Sequence, residues 1–398
     1  MKTLDILILT RAGRWGAALA LFAVAAISAC GGGGGGVGTG GTGGYASGPI
    51  SGFGSIIVND VRYDESAAQV LDGDGNVRSS TSLQLGMTVS IDSGAVATAA
   101  GASTAKANIV RYDSELLGPA SAVDIAGSAF TVLGQKVSVD PTTVFATGAG
   151  GLSALRTGTS VEVFAVYDPA GLRYRATRVA LATAGDTPRV RGPVSALDTT
   201  AQTLRVGNAS FGYAPAAGVP SGLAVGQFVR MKLQSATTSN GRYTVQAFGT
   251  AVPSVPDADG ASVKGLVTGL ATATSFSVNG LSVDASAATF TSGRSVALGT
   301  RVTVAGVVRS GVLRAASVTV ITDQEEDAHT FELHGSIDSV DSVAHTFTLR
   351  GQTIGTSRSD LVYQNGTAAQ LAVGRSVEVK GLLSADGLRI DATSINFE

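Results

Sequence analysis

The stretch Leu155-Arg-Thr-Gly158-Thr-Ser-Val161-Glu-Val163 decides how this chain is read, because its pattern occurs five times. An aliphatic residue is followed three places later by Gly and then by alternating apolar positions. The other copies are Leu83/Gly86/Val89/Ile91, Leu223/Gly226/Val229/Met231, Val296/Gly299/Val302/Val304 and Leu371/Gly374/Val377/Val379. A second landmark precedes each copy, a Gly with a mostly aliphatic residue two places on: Gly48/Ile50, Gly118/Ala120, Gly192/Val194, Gly265/Val267 and Gly335/Ile337. The glycines are spaced by 70 to 74 residues. A third landmark lies between them, Phe130/Val132/Gly134, Phe276/Val278/Gly280 and Phe347/Leu349/Gly351, with Leu204/Val206/Gly207 and Ile56/Val58/Asn59 as weaker copies. Three landmarks in one order at one period identify a tandem repeat.

Within each repeat the apolar positions alternate with period two, the mark of half-buried strands. Asn240-Gly241, Ser310-Gly311 and Asp386-Gly387 separate the last two strands of a unit, and such dipeptides favour hairpin turns at positive φ. No amphipathic helix of ten residues follows the leader. An all-β unit of about 70 residues must close on itself or hide its edges. The expected fold is therefore a tandem array of five small antiparallel β-barrels, OB-like or SH3-like, with small β-sandwiches as the alternative. The expected units are 48–114, 115–185, 186–257, 258–327 and 328–398, arranged as an elongated row. Linkers are expected near Arg111–Leu117, Ala184–Pro188, Pro253–Gly260 and Ile321–Ala328, the last a solvated acidic run, Asp323-Gln-Glu-Glu-Asp327.

Residues 1–29 differ from the rest. Lys2, Arg11 and Arg14 precede an apolar run from Trp15 to Ile27, and small residues follow. This is the layout of a secretory signal, and the run is short for a membrane span of about 20 residues. Ile27-Ser28-Ala29-Cys30 resembles the lipobox of bacterial lipoproteins, which implies lipid on Cys30 and loss of the peptide before it. Two or more acyl chains anchor a protein stably where one does not. Gly31 after the cysteine, by resemblance to that family's sorting rule, implies the outer membrane, with the chain facing the periplasm or the cell surface. Residues 30–47 are expected to be a tether: eleven of the fourteen residues 31–44 are Gly, a flexible coil with a reach of roughly 20 Å.

The stretch Gly48-Pro-Ile-Ser-Gly-Phe-Gly-Ser-Ile-Ile-Val-Asn-Asp-Val-Arg-Tyr-Asp64, the Leu-x-x-Gly-x-x-Val element and the Gly-rich lipoprotein leader together resemble the bacterial domain-of-unknown-function family 5666. The resemblance spans about residues 48–398. It implies export, frequent lipidation and tandem copies, and it carries no catalytic residues to transfer.

Composition narrows the function classes. The chain has 398 residues, 44% hydrophobic and 15% charged, with a net charge of −2 and one Cys. A disulfide scaffold needs paired cysteines, and a nucleic-acid binder normally shows a basic excess. Arg173-Tyr-Arg175 with Arg178, and Arg189 with Arg191, are the densest basic clusters; alternation places them on the solvent face of edge strands, where charge discourages aggregation. No Gly-x-Ser-x-Gly element is present. Asp72-Gly-Asp74-Gly-Asn76 copies the start of a calcium loop, but the later positions that should be Gly and Glu are Val77 and Leu83. His329, His334 and His345 all fall in the last unit, and the spacing of the first two places them on opposite strand faces. These six residues are the metal candidates, and no metal or other cofactor is expected on them. Tyr63, Tyr112, Tyr167, Tyr174 and Tyr363 are the candidate aromatic contacts for a glycan. The expected function is a non-enzymatic, lipid-anchored envelope protein acting as a structural or interaction array. The alternative is an extracytoplasmic binder of glycan or metal, with its site in one specialised repeat. Expected partners are the membrane, through Cys30, and an envelope protein or glycan, not nucleic acid.

Overall fold

Alternating Val, Phe and Leu at period two put one apolar face on each strand, and a short unit can hide that face only by rolling up. The computed structural model describes residues 43–99, 101–250, 254–291, 293–327 and 330–398. The leader, Cys30, most of the tether and His329 lie outside them.

Residues 116–181 show the pattern. Five strands, Leu116–Asp124, Ala129–Val132, Gln135–Ser138, Ser160–Asp168 and Arg173–Leu181, are paired in a closed circuit. The first pairs with the second and the second with the third, both antiparallel. The third runs parallel to the fifth, the fifth antiparallel to the fourth, and the fourth returns to the first. One parallel contact in an otherwise antiparallel ring is the OB-type circuit, so the chain is all-β and built from OB-like barrels rather than sandwiches.

The same circuit recurs in four other stretches. In residues 189–249 it runs through Arg189–Asp198, Thr203–Val206, Ala209–Gly212, Phe228–Leu233 and Arg242–Gly249. In residues 258–321 the strands are Ala258–Thr272, Ser275–Val278, Leu281–Asp284, Arg301–Arg309 and Val312–Ile321. In residues 331–397 they are Phe331–Asp341, Thr346–Leu349, Gln352–Gly355, Ser376–Leu383 and Arg389–Phe397. In residues 44–112 the first strand is broken into Gly44–Pro49 and Gly52–Phe53, and the ring continues through Ile56–Val58, Val61–Asp64, Thr88–Ser93 and Ala102–Tyr112. In chain order these are called barrels one to five, beginning with residues 44–112.

The landmarks now have physical causes. The Gly that precedes each fourth strand has positive φ: +79° at Gly86, +93° at Gly158, +88° at Gly226, +75° at Gly299 and +84° at Gly374. That region penalises a Cβ. The Gly on the first strand is a close approach. A Cβ at Gly192 would stand 2.1 Å from the Tyr174 hydroxyl oxygen and 2.8 Å from Val206. Each pairing of fourth and fifth strands carries a register shift at an equivalent place, such as Phe164/Ala165 and Ala305/Gly306. Such bulges bend long strands around a small barrel. Inward side chains fill it: Phe130, Val132, Val137, Val161 and Val163 are each 1% exposed or less. Burying a side chain of this size contributes about 1.5–3 kcal/mol.

The barrels are not strung out in a row. In a closed circuit the first strand pairs with the fourth over one half and with the second over the other, so part of each outer edge is left with unpaired backbone groups, which must find partners. Gly44–Pro49 finds them in barrel four, running parallel to it from Gly44↔Gly260 to Ser47↔Val263. Gly52–Phe53 runs parallel to barrel five at Gly52↔Glu332. Barrels two and three join at Leu116↔Val190. Barrel one thus touches the two barrels farthest from it in sequence, which corrects the expected elongated row. The expected tether boundary also moves. Gly44–Ser47 belong to the first strand, where Ala46 is fully buried.

The acidic run is not merely solvated. Asp323–Asp327 forms a short helix, and Glu326 is buried against Lys264 at 2.7 Å and Arg301 at 3.4 Å.

Candidate functional site

A cavity of about 630 Å³ opens where barrels one to four meet. The segment Arg111–Glu115, expected to be a plain linker, supplies its charged floor. Arg111, Asp113 and Glu115 border the cavity with Asp72 and Asp74 from a turn of barrel one, and with Arg191, Arg230 and Lys232 from barrel three. Four acids thus face four bases.

Every one of these charges has a partner. Arg230, buried in the junction, donates through Nε to Asp113 at 2.6 Å and through Nη1 to Asp74 at 2.9 Å. Lys232 approaches Asp74 at 2.8 Å. Arg111 pairs with Asp92 at 2.7 Å, Arg78 with Asp72 at 2.7 Å, and Arg191 with Glu115. Burial alone would raise the pKa of Asp74, but hydrogen bonds from Lys232 and Arg230 hold it below the usual carboxylate range. Glu115 behaves in the opposite way. Burial pushes its carboxyl up to about 7, and the Arg191 guanidinium offsets only part of that. One of its oxygens, Oε2, is buried and accepts no hydrogen bond.

Aromatic rings complete the wall. Tyr167 meets Phe228 edge-on at 6.1 Å, and the Arg191 guanidinium lies 5.7 Å over the Phe228 ring. Tyr45, Tyr112 and Phe248 also border the space. Burial, with Asp92 nearby, raises the Tyr45 hydroxyl to about 12, so it stays protonated.

The sequence candidates divide. Asp72 and Asp74 reach the cavity rim, though not as a calcium loop. Asp72 Oδ1 accepts from the backbone of Asp74 at 3.0 Å and of Asn76 at 2.9 Å, and its Oδ2 accepts from Arg78. Asn76 Nδ2 donates to Asp72 as well. These carboxylates are used on protein donors. His334 pairs with Glu398 at 2.5 Å, and His345 sits in a turn at φ +52°, with its carbonyl accepting from Thr356. Among the described residues no cluster of His, Cys, Asp and Glu is placed to hold a metal ion. Of the candidate tyrosines, Tyr112 and Tyr167 border the cavity, Tyr63 and Tyr174 are buried in barrels, and Tyr363 stacks on Phe397.

The expected solvent-facing basic clusters are corrected. Arg178 is 5% exposed and donates to the Leu85 carbonyl of barrel one at 3.0 Å; burial lowers its pKa to about 10. Arg175 bridges Asp168 at 3.2 Å and Asp323 at 2.8 Å, while Arg189 reaches Asp113 at 3.5 Å and Glu162 at 3.4 Å. Period-two alternation sends Arg175 and Arg189 out of the barrel interior, and the bulge between Ala176 and Arg178 does the same for Arg178; neither shows that another barrel is waiting there. Asp113, Glu115 and Arg230 were missed for the same reason. The available signal was three charged residues, Arg111, Asp113 and Glu115, alternating in what looked like a linker.

Comparison with known proteins finds a family model that matches part of the chain. The family model described as "Domain of unknown function (DUF5666)" matches residues 118–180, 264–319 and 334–396, which lie in barrels two, four and five. No curated protein matches the chain. A solved structure titled "drosophila Unr CSD456" matches at 14% identity over 57% of this chain and 100% of that one, with a TM-score of 0.14. At that score the likeness does not bear on the fold, which rests on the strand pairings above.

Proposed function

We propose that this chain, three segments of which match the DUF5666 family model, is a lipid-anchored cell-envelope protein that binds a ligand without transforming it. Its barrels act together as one interaction module, and the ligand sits between them rather than in one specialised repeat. The observation that carries this reading is the cavity of about 630 Å³ at the junction of four barrels, within the range of about 300–1,000 Å³ common for small-molecule sites. The charged groups around it are held in ion pairs, an arrangement suited to holding and orienting a ligand. The leader and the lipobox-like Ile27–Cys30 support export and anchoring at the outer membrane.

Two measurements test this. Native mass spectrometry of the full chain, purified from envelopes in a non-glycosidic detergent, is expected to retain a small-molecule mass that Thr88→Trp, at the cavity wall, displaces. A bare chain in both forms would count against a ligand site. Labelled palmitate is expected to enter the chain and to be lost in Cys30→Ala; unchanged labelling would remove the anchor.

A further inference from the structure

The cavity carries as many acids as bases, and each is held by an opposite charge. An ionic ligand would bring a charge for which no counter-charge is spare, and burying it unpaired is costly. The lining also has uncharged residues: Tyr167 and Phe228 with their rings, Thr88 and Ser90 with hydroxyls, and Tyr45 with a tyrosine hydroxyl. Aromatic faces with hydroxyl partners suit a molecule that is apolar on its ring faces and rich in hydroxyls on its edges. Glu115 adds a specific demand. It is 7% exposed, it borders the cavity, and its Oε2 has no donor. A buried acceptor left without a donor is a standing cost.

Resting on the ligand-binding reading above, we infer that the ligand is a neutral oligosaccharide of two or three rings, stacked on Tyr167 and Phe228, with one of its hydroxyls donating to Glu115 Oε2. The volume fits this size.

The test is calorimetric titration of the full chain in a non-glycosidic detergent. Maltotriose, cellotriose and chitotriose are the neutral probes; trigalacturonic acid, trilysine and trialanine are the contrasts. The expected result is binding of at least one neutral trisaccharide, weakened at least tenfold by Phe228→Ala and by Glu115→Gln, with the circular dichroism spectrum unchanged. If Glu115→Gln fails to fold, Phe228→Ala decides alone. Binding confined to the acid or the peptides, and lost in Phe228→Ala, overturns the neutral-saccharide inference while keeping the cavity as a ligand site. No binding by any neutral trisaccharide also overturns it. The retained mass in native spectrometry then shows separately whether the broader reading survives.

Discussion

Neighbouring residues on the fourth strand of each barrel obey different rules. Those pointing inward are interchangeable: Val89 and Ile91, Val161 and Val163, Val229 and Met231, Val302 and Val304, Val377 and Val379 are each 3% exposed or less. The residue between each pair points outward, and the five have no common chemistry. Ser90 borders the large cavity, and Glu162 reaches Arg189 of barrel three. Arg230 holds Asp74 and Asp113, Thr303 borders a small cavity of about 100 Å³, and Glu378 lies 3.8 Å from Arg62 of barrel one. The inward positions repeat because every barrel solves the same packing problem. The outward ones diverge because every junction is different. Repetition without repeated polar chemistry therefore does not mean that the polar residues are idle.

The contrast can be broken by substitution. Phe130→Ala, inside barrel two, is expected to cost about 3–5 kcal/mol in denaturant unfolding, as large-to-small core changes do. Arg230→Met, pointing outward, is expected to cost about 2–3 kcal/mol, because it removes a guanidinium, 2% exposed, that bridges Asp113 and Asp74 and leaves them only Arg189 and Lys232. An ordinary surface substitution stays within about ±0.5 kcal/mol, so a value that small at Arg230 would collapse the distinction drawn here.

The third prediction is a pH dependence. Burial raises the Glu115 carboxyl from 4.5 to about 7, so the folded chain holds this proton more tightly than the unfolded chain. Its contribution to stability is greatest at low pH and declines as pH rises through that window. The melting temperature of the wild type, measured against Glu115→Gln, is therefore expected to fall by a few degrees, in order of magnitude, between pH 4.5 and 7.5. A flat difference would mean that Arg191 dominates the site. The smallest effect is expected at Glu378→Gln, the same outward position in barrel five. Its partners Arg62 and Lys380 are 33% and 47% exposed, and exposed pairs contribute about 0.2–1 kcal/mol. A double-mutant cycle with Arg62 would measure it.

How much of this was legible differs between the two faces. The alternation around Val161 and Val163 and the turn glycines such as Gly158 specify a small closed β-unit. The Gly at 192 is legible as a landmark of the repeat, but its close approach to Tyr174 is not. The cavity was hidden because its residues come from four barrels and each looks ordinary in its own strand. Arg111, Asp113 and Glu115 read as a polar link, and Asp72 to Asn76 as a turn. Tyr45 sits at the end of a glycine tract, where nothing local requires it to be buried.

Local pattern alone specified the barrel and its repetition, because a side chain's inward or outward direction follows from strand geometry within a few residues. It also marked the leader and Cys30, whose signals are contiguous in the chain. Which outward residues meet water and which meet another barrel was decided only by tertiary structure. That choice depends on how separate barrels satisfy one another's free strand edges, as Gly44–Pro49 does against barrel four. A contact between residues some two hundred positions apart leaves no mark in the period of either strand.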